Sequence, residues 1–121
     1  MPMKRVDVIS TRRLLDDFFK VDEVTVRHER LDGSMSPVLK RLNFERGDGV
    51  AALLYKPADQ VLVLVRQFRL PSYMAGEGWL LEIVAGMLER AQDATAVMRR
   101  EVAEETGYEV GNLIPIGSFF L

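Results

Sequence analysis

Apolar and polar positions change rhythm several times along the chain, and each rhythm predicts an element. From Phe18 to Arg30, FFKVDEVTVRHER, the residues Val21, Val24 and Val26 stand with Thr25 in a charge-rich alternation that marks a half-exposed strand. Leu31 to Pro37, LDGSMSP, has the Asp-Gly, Ser and Pro content of a turn, and VLKRLNFER reads as a returning strand, so an antiparallel hairpin is expected. Ahead of it, STRRLLDD (Ser10 to Asp17) is expected to form one short turn. Arg46-Gly47-Asp48-Gly49 is a flexible turn that separates an N-terminal hairpin, residues 1–46, from a main body, residues 47–121.

In the main body, Gly49 to Lys56 (GVAALLYK) and Val61 to Arg69 (VLVLVRQFR) flank the turn Pro57-Ala58-Asp59-Gln60. Their nearly continuous apolar character predicts strands buried on both faces, covered by helices or by a partner. LPSYMAGEG (Leu70 to Gly78) is expected to be an irregular loop because of Pro71, Gly76 and Gly78. WLLEIVAG (Trp79 to Gly86) predicts another strand, with Trp79 a core or edge aromatic. Glu82 inside that apolar run needs solvent, a partner or a site. The loop MLERAQ then leads to Asp93, an N-cap for a helix from Ala94 to Thr106, which Gly107 ends as a C′ residue. Tyr108 to Phe120 is expected to return as an apolar strand, with Pro115 weakening it.

The helix carries an electrostatic oddity. Glu101, Glu104 and Glu105 sit in its last two turns, where like charges at i, i+3 and i+4 repel and where the helix dipole prefers cations. At about 100° per residue, Val102, Met98, Ala91 and Ala94 form the apolar face, flanked by Thr95 and Thr106. Glu101 and Glu105 fall about 40° apart on one border of it, and Glu104 points further toward solvent. Arg100 precedes Glu104 by one helical turn and can pair with it, whereas no Lys or Arg stands at i±3 or i±4 from Glu101 or Glu105. A divalent metal would relieve the repulsion; a solvated helix with surface acids is the alternative. Arg66 and Arg69, at the end of an apolar strand, could grip phosphate with two guanidinium forks or pair with nearby acids.

Composition narrows the function classes. With 121 residues, 48% hydrophobic and 28% charged, the chain is expected to be one globular domain. A net charge of -2 from 16 basic and 18 acidic residues provides no overall field for nucleic acid or an anionic membrane. No cysteine is present, which excludes disulfides, thiolate zinc sites and cysteine nucleophiles. His28 is the only histidine, so it reads as an exposed strand residue and not as a ligand or base. The N-terminus MPMKRVDVISTRRLLDDFF has no uninterrupted apolar h-region and nothing later approaches the ~20 apolar residues of a membrane span, so a cytoplasmic setting is expected; without a secretion signal, the Arg46-Gly47-Asp48 tripeptide is not read as an adhesion motif.

Gly86 followed at fixed distance by Arg100-Glu101-Val102-x-Glu104-Glu105-x-Gly107-Tyr108 resembles the Nudix box, which here spans Gly86 to Tyr108. One position departs from the pattern: the family's first glutamate is Gln92, a neutral amide. VLVLVRQFR, WLLEIVAGMLE and EETGYEVG are similar to the nucleoside-diphosphate-sugar pyrophosphatases of the Nudix superfamily, the GDP-mannose and ADP-ribose pyrophosphatases above all, from about Phe18 onward.

The resemblance implies an α+β fold, an α/β/α sandwich around a mixed sheet, with the N-terminal strands building a homodimer by reaching over the partner. It implies Mg²⁺-dependent (or Mn²⁺-dependent) cleavage of a nucleoside diphosphate sugar to a nucleoside monophosphate and a sugar phosphate, without a covalent intermediate. By position, Glu101 and Glu105 match metal-binding glutamates, the carbonyl of Ala85 matches a further ligand, and Glu104 stands second to them. Arg69 matches a phosphate-binding arginine, and Lys40 and Arg41 match residues that contact nucleotide across the dimer. Neither nucleic acid nor membrane is implied as a partner. In these relatives the sheet continues past SFFL and a later glutamate serves as base or extra ligand. The resemblance thus reads as C-terminally incomplete, either a fragment or a short protein, with a non-catalytic dimerisation or nucleotide-binding module as the alternative.

Overall fold

The structure is a computed structural model that describes residues 4–121. The chain divides into two units, one ending at Gly47 and the other spanning Asp48–Leu121.

The first unit is a three-stranded antiparallel meander: β1 (Val6–Asp16), β2 (Lys20–His28) and β3 (Leu39–Glu45), in that spatial order. The expected hairpin is β2 with β3, running in register from Lys20 opposite Glu45 to Val26 opposite Leu39. At the turn between them, the Asp32 carboxylate accepts from the Ser34 N–H at 2.9 Å, and Gly33 takes a left-handed φ of 86°. The short turn expected at Ser10 to Asp17 is instead strand, part of β1 up to Asp16. Register explains the difference. Arg12 lies opposite Glu23 and Arg13 opposite Asp22, and the guanidinium of Arg12 donates to Glu23 at 3.3 Å. Such cross-strand charge pairs stabilise a ladder without leaving a local periodicity to read. Among the described residues this unit contains no fully buried apolar side chain; Val8, Leu42 and Phe44 all stand exposed.

The second unit contains β4 (Asp48–Ala52), β5 (Leu54–Lys56), β6 (Val61–Val63), β7 (Val65–Phe68), α1 (Leu70–Ala75), β8 (Trp79–Glu82), β9 (Val84–Leu88) and α2 (Ala94–Thr106). β4 pairs with β9, β5 with β6 and β7 with β8, each pair antiparallel. α2 packs on β9 and β4. Val84, Met98 and Val102 form the buried centre, with Val50, Ala52, Leu54, Val65, Val110 and Leu113 packed against it.

Three expectations are corrected here. The apolar runs are not buried on both faces: Val50, Ala52, Leu54 and Val65 turn inward while Leu53, Tyr55, Leu62 and Leu64 are exposed. A strand sends alternate side chains to opposite faces, and α2 covers only one of them. Leu70 to Gly78 is not wholly irregular, because Leu70–Ala75 forms α1 with a proline in its first turn, where the missing N–H has no intrahelical use. Tyr108 to Phe120 forms no strand. It instead lays Val110 and Leu113 on the core, and the Arg99 guanidinium donates to the Val110 carbonyl at 2.6 Å. Trp79 is an exposed edge aromatic beside Phe68. Among the described residues no helix is long and apolar enough to cross a membrane.

Candidate functional site

The site is built on α2 and the strand it packs against. Asp93 starts the helix, its carboxylate accepting from the Thr95 N–H at 3.1 Å, and Gly107 ends it in a left-handed conformation with φ 75°. The inward face consists of Val97, Met98 and Val102. This corrects the expected face, because Ala91 precedes the helix in a turn with φ 66° and Ala94 is exposed, so the stripe shifts to Val97.

Glu101 stands beside this buried stripe with its side chain only 17% exposed, folded over the backbone of Gly86. A Cβ placed on Gly86 would come within 2.5 Å of Glu101 Cγ and Cδ and 2.9 Å of Oε1, so only glycine leaves room for this carboxylate. Gly86 lies opposite Val50 in the β4–β9 ladder, directly after Ala85. The close approach of α2 to β9 therefore brings the Glu101 carboxylate beside the residue that follows Ala85. Glu104 is well exposed at 61% and meets Arg100 at 3.8 Å, as its spacing predicts. Glu101 also has a local partner, contrary to expectation: Arg100 reaches it at 3.3 Å. The i±3 and i±4 rule overlooks neighbours in sequence, yet a long arginine side chain can curl back to one. Glu105 is exposed and makes no ion pair among the described residues, and no basic residue occupies the last turn of α2.

A second group lies at the end of β7. Strand alternation sends Arg66 and Arg69 to opposite faces, so they do not form a double fork. Arg69 shares a face with Val65 and Glu82, and Glu82 lies opposite Val65 in the ladder. The Arg69 Nε donates to both Glu82 oxygens at 3.1 Å, and Nη2 donates to Oε2 at 2.7 Å. The hydrogen bonds from Arg69 hold the Glu82 carboxyl below its usual range. Reciprocally, Glu82 and, more weakly, the charge of Glu105 raise the guanidinium pKa above its usual value. Of the three alternatives for Glu82, a lone carboxylate in an apolar strand, namely solvent, a partner or a site, the structure shows a partner. The lone carboxylate was the available signal, but which arginine it would meet depended on the register of β7 with β8.

Gln92 has a definite structural role. Its side-chain oxygen accepts from the Glu89 N–H at 3.0 Å while its own N–H donates to the Glu89 carbonyl at 3.1 Å. The reciprocal pair closes the turn that holds Ala91 in its left-handed conformation just before α2. An amide oxygen is sufficient for that acceptor role.

Lys40 and Arg41 lie in the first unit on β3, opposite Thr25 and Val24. Lys40 meets Glu23 at 3.5 Å, and Arg41 donates to the Lys40 carbonyl at 3.0 Å. His28 makes a ring contact with the Glu29 carbonyl at 3.2 Å.

Among the described residues no group of three Asp, Glu or His side chains gathers closely enough to hold a metal alone. Glu101, Glu105 and the Ala85 carbonyl, the ligands that the resemblance implies, would supply an oxygen-only set of two carboxylates and one carbonyl. That set suits Mg²⁺, which keeps several waters and is bound through one or two carboxylates together with phosphate oxygens of its ligand. The space Gly86 leaves for the Glu101 carboxylate is consistent with the same fit.

Comparison with known proteins places these residues in context. The NUDIX domain matches residues 45–120. ADP-ribose pyrophosphatase of Escherichia coli is 38% identical over 115 residues, which is 94% of this chain and 55% of that protein. GDP-mannose pyrophosphatase of Klebsiella pneumoniae is 37% identical over 118 residues, 96% of this chain and 59% of that protein. The chain thus spans little more than half the length of these curated relatives. A solved structure described as a crystal structure of ADP compounds hydrolase superposes with a TM-score of 0.64 at 18% identity, covering 93% of this chain and 56% of that one. At that identity the likeness supports a shared fold.

Proposed function

This chain belongs to the Nudix family, and from that premise we propose a Mg²⁺-dependent pyrophosphohydrolase acting on a nucleoside diphosphate sugar of the ADP-ribose or GDP-mannose class. The observation that carries the reading is the Glu101 carboxylate folded over Gly86, the residue after Ala85, with little exposure to solvent.

In this reading Glu101, Glu105 and the Ala85 carbonyl hold the cation. When bound, the cation neutralises the pyrophosphate and lowers the pKa of a coordinated water. Glu101 and Glu105 would hold it from α2, and Glu104, which meets Arg100, would add negative charge next to the ligands. Arg69 receives a phosphate of the substrate. The meander up to residue 46 serves dimerisation and substrate covering, and Lys40 and Arg41 on β3 supply cationic contacts to the nucleotide from a homodimer partner. The exposed apolar side chains of that meander support an oligomeric role, since a sheet without buried apolar surface has little to stabilise it alone.

The test is hydrolysis of ADP-ribose, GDP-mannose and UDP-glucose with and without Mg²⁺. The expected result is metal-dependent release of a nucleoside monophosphate and a sugar phosphate. Glu101→Gln or Glu105→Gln should each lower the rate by roughly two orders of magnitude or more, the scale expected when a charge-stabilising group is removed. The fold should remain nearly intact because like-charge repulsion is relieved. Turnover that survives the double change would refute the metal assignment, and metal-dependent binding without turnover would favour a non-catalytic nucleotide-binding module.

A further inference from the structure

Resting on the reading of Arg69 as a phosphate-binding group, we propose that Glu82 is a positioning residue that fixes one edge of the Arg69 guanidinium and so presents its other edge to the substrate phosphate. Guanidinium has five N–H donors in one plane. Glu82 engages the Nε edge, taking Nε and one proton of Nη2. Both protons of Nη1 and the second of Nη2 remain, and one Nη1 proton with that second Nη2 proton forms a fork spaced to receive two oxygens of one phosphate. Among the described residues no acceptor meets Nη1.

The base of the side chain is fixed as well. The Arg69 N–H donates to the Gly78 carbonyl at 2.7 Å, and its carbonyl accepts from the Tyr73 N–H at 3.0 Å and the Ser72 hydroxyl at 2.9 Å. With the backbone anchored by β8 and α1 and the tip anchored by Glu82, the arginine loses little further rotamer freedom when an anion arrives. Its face is that of Val65, which packs on the core beneath α2. The charge of Glu105, one of the proposed cation ligands, is felt at the guanidinium. In the proposed function, the free fork would receive oxygens of the substrate pyrophosphate.

Glu82 could in principle act the other way, as a competitor that masks Arg69 from anions. The bidentate geometry argues against masking, because it occupies one edge and leaves the other complete. The two roles predict opposite signs, and calorimetric binding of imidodiphosphate, a pyrophosphate analogue with NH in the bridge, in the presence of Mg²⁺ separates them. Glu82→Ala should weaken binding by about fivefold, a modest factor because the pair is partly exposed. Glu82→Gln, isosteric and still an acceptor, should weaken it less, and it serves as the variant that preserves packing. In an Arg69→Ala background, Glu82→Ala should have no additional effect on affinity, which a general structural role would not predict. Unchanged or tighter binding by Glu82→Ala, or an equal loss in the Arg69→Ala background, would overturn the proposal while leaving the pyrophosphate reading standing. Wild-type protein that binds no imidodiphosphate, or Arg69→Ala that binds as wild type does, would overturn the reading of Arg69 and this proposal with it.

Discussion

Gly86→Ala is the perturbation whose consequence follows most directly from the geometry. Gly86 does not adopt a left-handed φ, so the glycine is required here for space and not for backbone freedom. The added methyl carbon would stand 2.5 Å from Glu101 Cγ and Cδ. Carbon atoms attract at about 3.5–4.0 Å, so the Glu101 side chain must retreat by roughly 1 Å or change rotamer. An off-rotamer side chain costs about 0.5–1.5 kcal/mol, and since the displaced atoms are near the end of a flexible chain, stability should fall by no more than that. The carboxylate, however, leaves its place over Gly86. Misplacement by about 1 Å can slow a positioned reaction by roughly 100-fold. We expect Gly86→Ala to melt cooperatively within a few degrees of wild type while losing Mn²⁺ affinity and most Mg²⁺-dependent hydrolysis. The assay pairs a thermal melt with Mn²⁺ titration. A variant with wild-type Mn²⁺ affinity would refute the claim that Glu101 must lie over Gly86 to serve as a ligand; a variant that fails to fold would refute the claim that the methyl displaces only a side-chain end.

Further outcomes concern the supports of the site. Asp93→Ala removes the side-chain acceptor for the Thr95 N–H and should lower stability by about 1 kcal/mol in chemical denaturation. Gly107→Ala forces a Cβ into the left-handed region at φ 75° and should destabilise by about 1 kcal/mol, with no crowding contribution because nothing lies within 4 Å of the added carbon. Glu82 should give a pH signature. Its folded pKa is depressed below the usual 4.5 by Arg69, so its stabilising contribution is complete above that value and disappears as pH falls through the lower folded value. Denaturation midpoints of wild type measured downward from pH 5 should therefore fall more steeply than those of Glu82→Gln; parallel curves would argue against the ion pair.

The parts of the molecule legible in the sequence were those governed by local chemistry. Asp93, the helix and Gly107 lie where cap residues and periodicity put them, and Glu104 meets Arg100 as i and i+4 neighbours should. What escaped was set by pairing between distant segments. β1 is held by charges on β2 that no window around Ser10 to Asp17 contains. Arg69 finds Glu82 only through the β7–β8 register. Phe119 and Phe120 look like strand residues by composition, yet among the described residues Tyr108 to Phe120 pairs with no strand. The helix projection placed Glu101 on the rim correctly, but its seat over Gly86 depends on how closely α2 approaches β9, a packing distance that periodicity does not encode.

The most direct test of the account is Mn²⁺ binding followed by electron paramagnetic resonance on wild type, Glu101→Gln, Glu105→Gln and the double variant. A site built on these two carboxylates predicts measurable binding to wild type, clear weakening in each single variant and none in the double variant. Equal binding to wild type and the double variant would contradict it.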